Sequence, residues 1–315
     1  MTFAFDPDVA VAIEAMADKL ALVTGAPRGD WKALRDACNS NIASMESRFQ
    51  PSPTVTITDY TITTDDGSEI AARWYTHEGS PPGSAVVYAH GGGMISGHVS
   101  AYDAILVPYV EQTGVPFLSI EYRLAPEHTG TTPAEDTYAG LRWLHAHAAS
   151  LGIDPQRIAV MGDSAGGGVS AGVGILAREN GTPLARQILI YSMLDDRNIV
   201  PDENIGPFAA WTYDNNYTGW HALLGDDLGT DRVSPVAAPA RLTDFAGLVP
   251  AFIDVGELDI FRDESIDYAR RLTLAGVSTE LHVRPGAPHG FDGMTATLDL
   301  GARALADKLR VIRAL

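Results

Sequence analysis

Cysteine is almost absent. Cys38 stands alone among 315 residues, so no internal disulfide can form and a reducing, cytoplasmic setting is the simpler expectation. Basic residues are also scarce: 22 Lys and Arg face 40 Asp and Glu, a net charge of −18. That balance works against electrostatic binding of nucleic acid or of an anionic bilayer. Residues 1–18 hold no Lys or Arg and no apolar run long enough for a signal-peptide core. Nothing approaches the ~20 apolar residues of a membrane span, and a soluble chain without membrane insertion is expected. The single cysteine excludes thiolate metal clusters and no H-E-x-x-H occurs, so a metal hydrolase is not expected.

What remains is ordinary globular material, with 45% hydrophobic and 20% charged residues. The length allows one large domain or two ordinary ones, and the pattern favours one α/β domain over residues 1–315. Val9, Ile13, Met16 and Leu20 recur at helical spacing over residues 7–24, with Gly25 as a stop. Trp31, Leu34, Cys38, Ile42 and Met45 repeat the pattern. Alternating residues over Val55–Thr63 and Ile70–Tyr75 predict paired antiparallel strands.

From residue 84 onward apolar strands alternate with helices. The strands are Ala85–Ala89, Val115–Tyr122, Ile158–Met161, Gln187–Tyr191, Ala251–Val255 and Glu280–Arg284. The helices lie near 102–112, 133–149, after Ser164, near 263–275 and near 298–314. Such alternation implies a mainly parallel central sheet with helices on both faces. Residues 196–240 break the rhythm with Phe208, Trp211, Tyr213, Tyr217 and Trp220. They read as an insertion that joins the first two helices (about 1–48) in a helical cap. The insertion's aromatics fit a substrate pocket and a small internal core equally well.

Gly162-Asp163-Ser164-Ala165-Gly166 sits between a strand and a helix. This G-x-S-x-G elbow lifts a serine hydroxyl above the sheet edge on a strained turn, and the flanking glycines let the backbone pass without a Cβ clash. A serine needs a base. His289, in the loop Pro285–Phe291 after the last strand, stands at the rim where ligands bind in open α/β sheets. His145 and His147 fall in a helix, His282 in a strand and His77 in an early loop. An orienting acid should follow Ala251–Val255, where Glu257, Asp259 and Asp263 compete. Asp259 is placed best, Glu257 second, and Asp263 reads as a helix start. The order Ser164, Asp259, His289 is that of the nucleophile-elbow hydrolases.

His90-Gly91-Gly92-Gly93 follows a strand. Beside a serine elbow it reads as an oxyanion hole, with the amides of Gly91 and Gly92 donating alongside that of Ala165. A rival reading takes Gly166–Ala171 as the dinucleotide pattern G-x-G-x-x-A. Its first glycine should follow the strand directly, however, and Asp163-Ser164 intervene.

These motifs, with Tyr122-Arg123-Leu124-Ala125-Pro126-Glu127-His128, Asp259-Ile260-Phe261-Arg262-Asp263 and Pro288-His289-Gly290-Phe291, resemble the hormone-sensitive-lipase-like esterases. These are the bacterial family IV branch of the α/β-hydrolases. The resemblance implies triad roles for Ser164, Asp259 and His289, favouring Asp259 over Glu257. It also implies a cap from the N-terminal helices plus an insertion. A small-molecule carboxylic ester with a short to medium acyl chain is the implied substrate, without a cofactor, and the implied protein partner is a second copy in a homodimer. Two positions depart from the pattern: Gly168 stands where many relatives carry Asn, and Thr129–Thr132 replaces a Pro- and Phe-richer stretch. The gibberellin receptors resemble the same family and use the pocket for binding alone, but they lack the triad histidine that His289 supplies here.

Overall fold

A computed structural model describes residues 3–47, 49–79 and 83–315, without the side chains of residues 44 and 45. The apolar position expected of Met45 lies outside the described residues, as do residues 1, 2 and 48 of the expected cap. Two helices come first, α1 (Pro7–Thr24) and α2 (Trp31–Glu46). Asp6 caps α1 by accepting from the Asp8 N–H at 2.9 Å, and Pro7 occupies the first turn, where no N–H is needed. Next come β1 (Val55–Thr63), β2 (Glu69–His77), β3 (Gly83–Ala89), α3 (Asp103–Thr113), β4 (Phe117–Ile120), α4 (Thr132–Leu151) and β5 (Ile153–Asp163). After these come α5 (Ala165–Glu179), β6 (Arg186–Ile190), α6 (Tyr213–Leu224), β7 (Ala251–Gly256), α7 (Arg262–Leu274), β8 (Thr279–Arg284), α8 (Phe291–Met294) and α9 (Asp299–Arg313).

The eight strands form one sheet in the order β1-β2-β4-β3-β5-β6-β7-β8. β1, β2 and β4 pair antiparallel, and every pair from β4 to β8 is parallel. The sheet is mainly parallel with helices on both faces, as the alternation predicts. Ala85, Val87 and Ala89 of β3 pack with Leu141 and Leu144 of α4 and Val169 of α5. Val86 and Tyr88 face the other way, onto Leu106 and Val110 of α3 and Leu309 and Ile312 of α9. Alternate side chains therefore enter two separate cores, which is why the strand reads as an unbroken apolar run.

β4 is shorter than the expected Val115–Tyr122. Pro116 has no N–H for the ladder, and Tyr122 leaves the sheet to stack on His90 at 4.3 Å. His77 ends β2 instead of lying in a loop. Because β2 runs against the parallel strands, that end is remote from their C-terminal rim.

Residues 196–240 connect β6 to β7, carry α6, and touch the N-terminal helices. The Asn215 side-chain amide donates to the Val23 carbonyl (2.9 Å), the Gly29 N–H to Thr218 Oγ1 (2.8 Å), and Arg28 pairs with Asp214 (2.8 Å). Among the described residues no helix is long and apolar enough to cross a membrane.

Candidate active site

β5 delivers the chain to Ser164 and α5 carries it away. At the turn Ser164 takes φ +54°, ψ −122°, a region that is costly for a residue with a Cβ. The turn is fixed by its surroundings: the Ser164 N–H donates to Ile190 O at 2.9 Å, and its carbonyl accepts from Gly167 and Met193 N–H, each at 3.0 Å. A Cβ on Gly162 would strike the Gly166 carbonyl, and one on Gly166 the Ala89 and His90 carbonyls. The motif's glycines thus serve close approach between elbow and β3 rather than an unusual φ of their own.

The loop after β8 brings His289 to this turn. Ser164 Oγ–H donates to His289 Nε2 at 2.9 Å, and His289 Nδ1–H donates to Asp259 Oδ2 at 2.8 Å. Asp259 is fully buried, and its other oxygen accepts from the Phe261 N–H at 3.0 Å. The imidazole is boxed by ring edges of Tyr191 and Phe261, with centroids at 4.9 and 5.1 Å.

The competing acids are occupied elsewhere. Glu257 accepts from the Gly286 N–H at 3.0 Å, bracing the loop that carries His289, and Asp263 pairs with Arg262 at 2.7 Å. Of the other histidines, His145 bonds Pro183 O, His147 bonds Trp143 O and His282 bonds Glu280.

The glycine loop requires a correction. The Gly91 N–H points inward, donating to Tyr102 Oη at 2.8 Å and facing Asp163 Oδ1 at 3.2 Å, so it is not free for a substrate oxygen. The N–H groups of Gly92 and Gly93 meet no acceptor among the described residues. Ala165, first in α5, has no intrahelical acceptor for its own N–H. Gly93, which ends the same triple-glycine run, was not among the amides that the sequence singled out. Asp163 ties this loop to the elbow, accepting from Tyr88 (2.7 Å) and Tyr102 (3.0 Å). Burial raises its carboxyl above the usual range, against the pull of those hydroxyls.

His90 anchors the loop from below. Its Nδ1–H donates to Gly91 O at 2.8 Å, and burial pushes its pKa down to about 4. An unfolded imidazole titrates near about 6.5. With the folded value the lower of the two, the stabilisation is intact above the unfolded pKa and is lost as pH falls through this window toward the folded one. From pH 7 to about 4.5 the native protein should lose about 2–3 kcal/mol more stability than a His90→Gln variant, measured by urea unfolding. Equal acid losses would remove this role.

The segment 122–128 acts as a brace. Tyr122 Oη–H donates to His90 O at 2.7 Å, and Arg123 forks onto buried Asp136 at 2.9 and 2.7 Å. Arg35 of α2 pairs with Glu127 at 2.6 Å and also reaches the Ile95 carbonyl at 2.5 Å, linking α2 to the glycine loop. At Gly168 any Cβ would strike the Met193 carbonyl, so this chain has no room for a larger residue there. The 129–132 stretch meets the end of α6, the Gly130 N–H donating to Leu223 O at 2.9 Å. Among the described residues, Glu280, His282 and Asp307 form the one cluster with metal-ligand spacing. Arg284 and Arg310 already pair with its carboxylates.

With this geometry the chain can be set beside known proteins. A family profile described as the alpha/beta hydrolase fold matches residues 86–293. Carboxylesterase NlhH of Mycobacterium tuberculosis is 34% identical over 278 residues, 83% of each chain. The chain belongs to the α/β-hydrolase family. The ethyl acetate hydrolase of Pseudomonas putida is 32% identical over 253 residues, covering 77% of this chain and 78% of that one. Among solved structures, a bacterial heroin esterase superposes with a TM-score of 0.87 at 36% identity, covering 99% of this chain and 98% of that one. Within the α/β-hydrolases the protein falls in the hormone-sensitive-lipase-like branch, and it is a serine ester hydrolase.

Proposed function

We propose that this α/β-hydrolase cleaves carboxylic esters with short to medium acyl chains through an acyl-enzyme on Ser164. The observation that carries the reading is the unbroken path from Ser164 Oγ through His289 to buried Asp259, at 2.9 and 2.8 Å. Asp259 accepts a hydrogen bond from Nδ1–H, keeping that proton on Nδ1, and so leaves Nε2 as the lone-pair nitrogen facing the serine hydroxyl. His289 takes that proton as Oγ attacks the ester carbonyl. The amides of Gly92, Gly93 and Ala165 receive the developing oxyanion, each such donor being worth about 3–4 kcal/mol at the transition state. The same Nε2–H then protonates the departing alcohol. Water repeats the cycle on the acyl-enzyme and frees the acid.

The helices α1 and α2 together with residues 196–240 serve as the cap of this site. Their mutual hydrogen bonds and the Arg35 link to the glycine loop support that role. Only 7% of Ser164 is exposed, and the rings of Tyr191, Trp211 and Phe261 stand around His289, surroundings that suit small uncharged esters. The ethyl acetate hydrolase among the relatives supports the short end of the range.

A series of p-nitrophenyl esters from acetate to palmitate tests this reading. The expected kcat/KM peaks between acetate and octanoate and declines by laurate. A maximum at palmitate would contradict it.

A further inference from the structure

We infer that Trp211 uses its indole N–H to recognise a second hydrogen-bond acceptor on the acyl group of the substrate. The protein would then prefer acyl chains that carry an oxygen close to the scissile carbonyl. This rests on the Ser164–His289 reading and extends it to substrate class.

Trp211 lies one residue before the cap of α6, in the segment whose aromatics had no assigned role. Its benzo edge covers the glycine loop: a Cβ on Gly93 would fall 2.8 Å from Cη2 and 2.9 Å from Cζ2. Its ring is centred 6.4 Å from that of His289. The indole therefore stands close to both the glycine loop and the base.

Cζ2 and Nε1 share one edge of the indole, joined through Cε2, so the N–H lies beside the edge turned to Gly93. The residue is 6% exposed and this N–H finds no acceptor. Leaving a buried donor unpaired costs about 1–3 kcal/mol, and phenylalanine would offer a similar apolar wall without that cost. A donor held at the mouth of the oxyanion loop is satisfied when the substrate brings the acceptor.

The carbonyl oxygen itself belongs to the glycine and Ala165 amides, and the leaving alcohol oxygen to His289. With those two oxygens claimed, the acceptor that the Trp211 N–H is inferred to meet is a further oxygen on the acyl group. Alkoxyacyl, ketoacyl and half-ester acyl groups carry an oxygen at that distance, whereas simple alkanoyl chains do not.

p-Nitrophenyl methoxyacetate and p-nitrophenyl butyrate test the assignment, because they share one shape and differ by an ether oxygen in place of a methylene. Each kcat/KM is divided by the ester's own hydroxide-catalysed rate, removing the difference in intrinsic reactivity. The unaltered protein should favour the methoxyacetate by about 3–10-fold, the worth of one hydrogen bond. Trp211→Phe should abolish that preference while both esters are still turned over, since ring bulk affects the two alike.

No preference in the unaltered protein overturns the inference without any variant having to fold. A preference that survives Trp211→Phe overturns the assignment to this residue. Turnover of both esters that persists in Ser164→Ala would instead refute the underlying mechanism, so the two failures are told apart.

Discussion

Ser164→Ala should lower kcat for a p-nitrophenyl ester by about 10⁶-fold, the scale seen when a serine-hydrolase nucleophile is removed. Residual turnover would come from the amides of Gly92, Gly93 and Ala165 and from substrate positioning alone. The change should leave the fold in place. The turn is held by backbone bonds to Ile190, Gly167 and Met193, none of which involves the hydroxyl. KM should change little, because the lost oxygen acts on the carbonyl only as the bond forms. Purified variant assayed beside the parent, with unfolding curves for both, checks this. A loss of less than about 10²-fold would mean another group attacks the ester.

Asp259→Asn should cost about 10⁴ in kcat, or about 5.5 kcal/mol of barrier. The physical reason is the tautomer. The carboxylate oxygen facing Nδ1 at 2.8 Å accepts only, so it fixes the proton there. An asparagine side chain can turn its NH₂ toward Nδ1 and shift the imidazole proton to Nε2, where it blocks removal of the serine proton. Glu257→Gln is the matched comparison. Its side-chain oxygen can still accept from Gly286, so turnover should fall by much less. A crippled Glu257→Gln beside a healthy Asp259→Asn would reverse the assignment.

How far these residues can be read from sequence depends on what decides each one. The elbow is legible because its signal is local, with strand, serine and glycines all within a dozen residues. The acid is legible only as a choice. Three carboxylates follow β7, two in the loop and Asp263 in the first turn of α7, and what separates them is burial and the direction of one side chain, which no spacing encodes.

Gly91 misleads for a related reason. A triple-glycine run advertises free amides but does not say which of them turns inward. The acceptor that claims Gly91 is the hydroxyl of Tyr102, on the far side of the loop. Trp211 could not be assigned at all, since an aromatic in an insertion packs inward or faces the site according to how that segment settles. The mainly parallel sheet and its two helix layers were accessible from alternation, whereas the ends of β4 were not, because they are set by Pro116 and by the stacking of Tyr122 on His90.

The central claim is that Ser164 is the atom that becomes acylated. Treatment with a fluorophosphonate, followed by digestion and mass spectrometry, tests it most directly. The account predicts one adduct per chain, mapped to the peptide containing Ser164 and lost in Asp259→Asn at short exposure. An adduct on any other residue, or labelling that persists undiminished in Ser164→Ala, would contradict it.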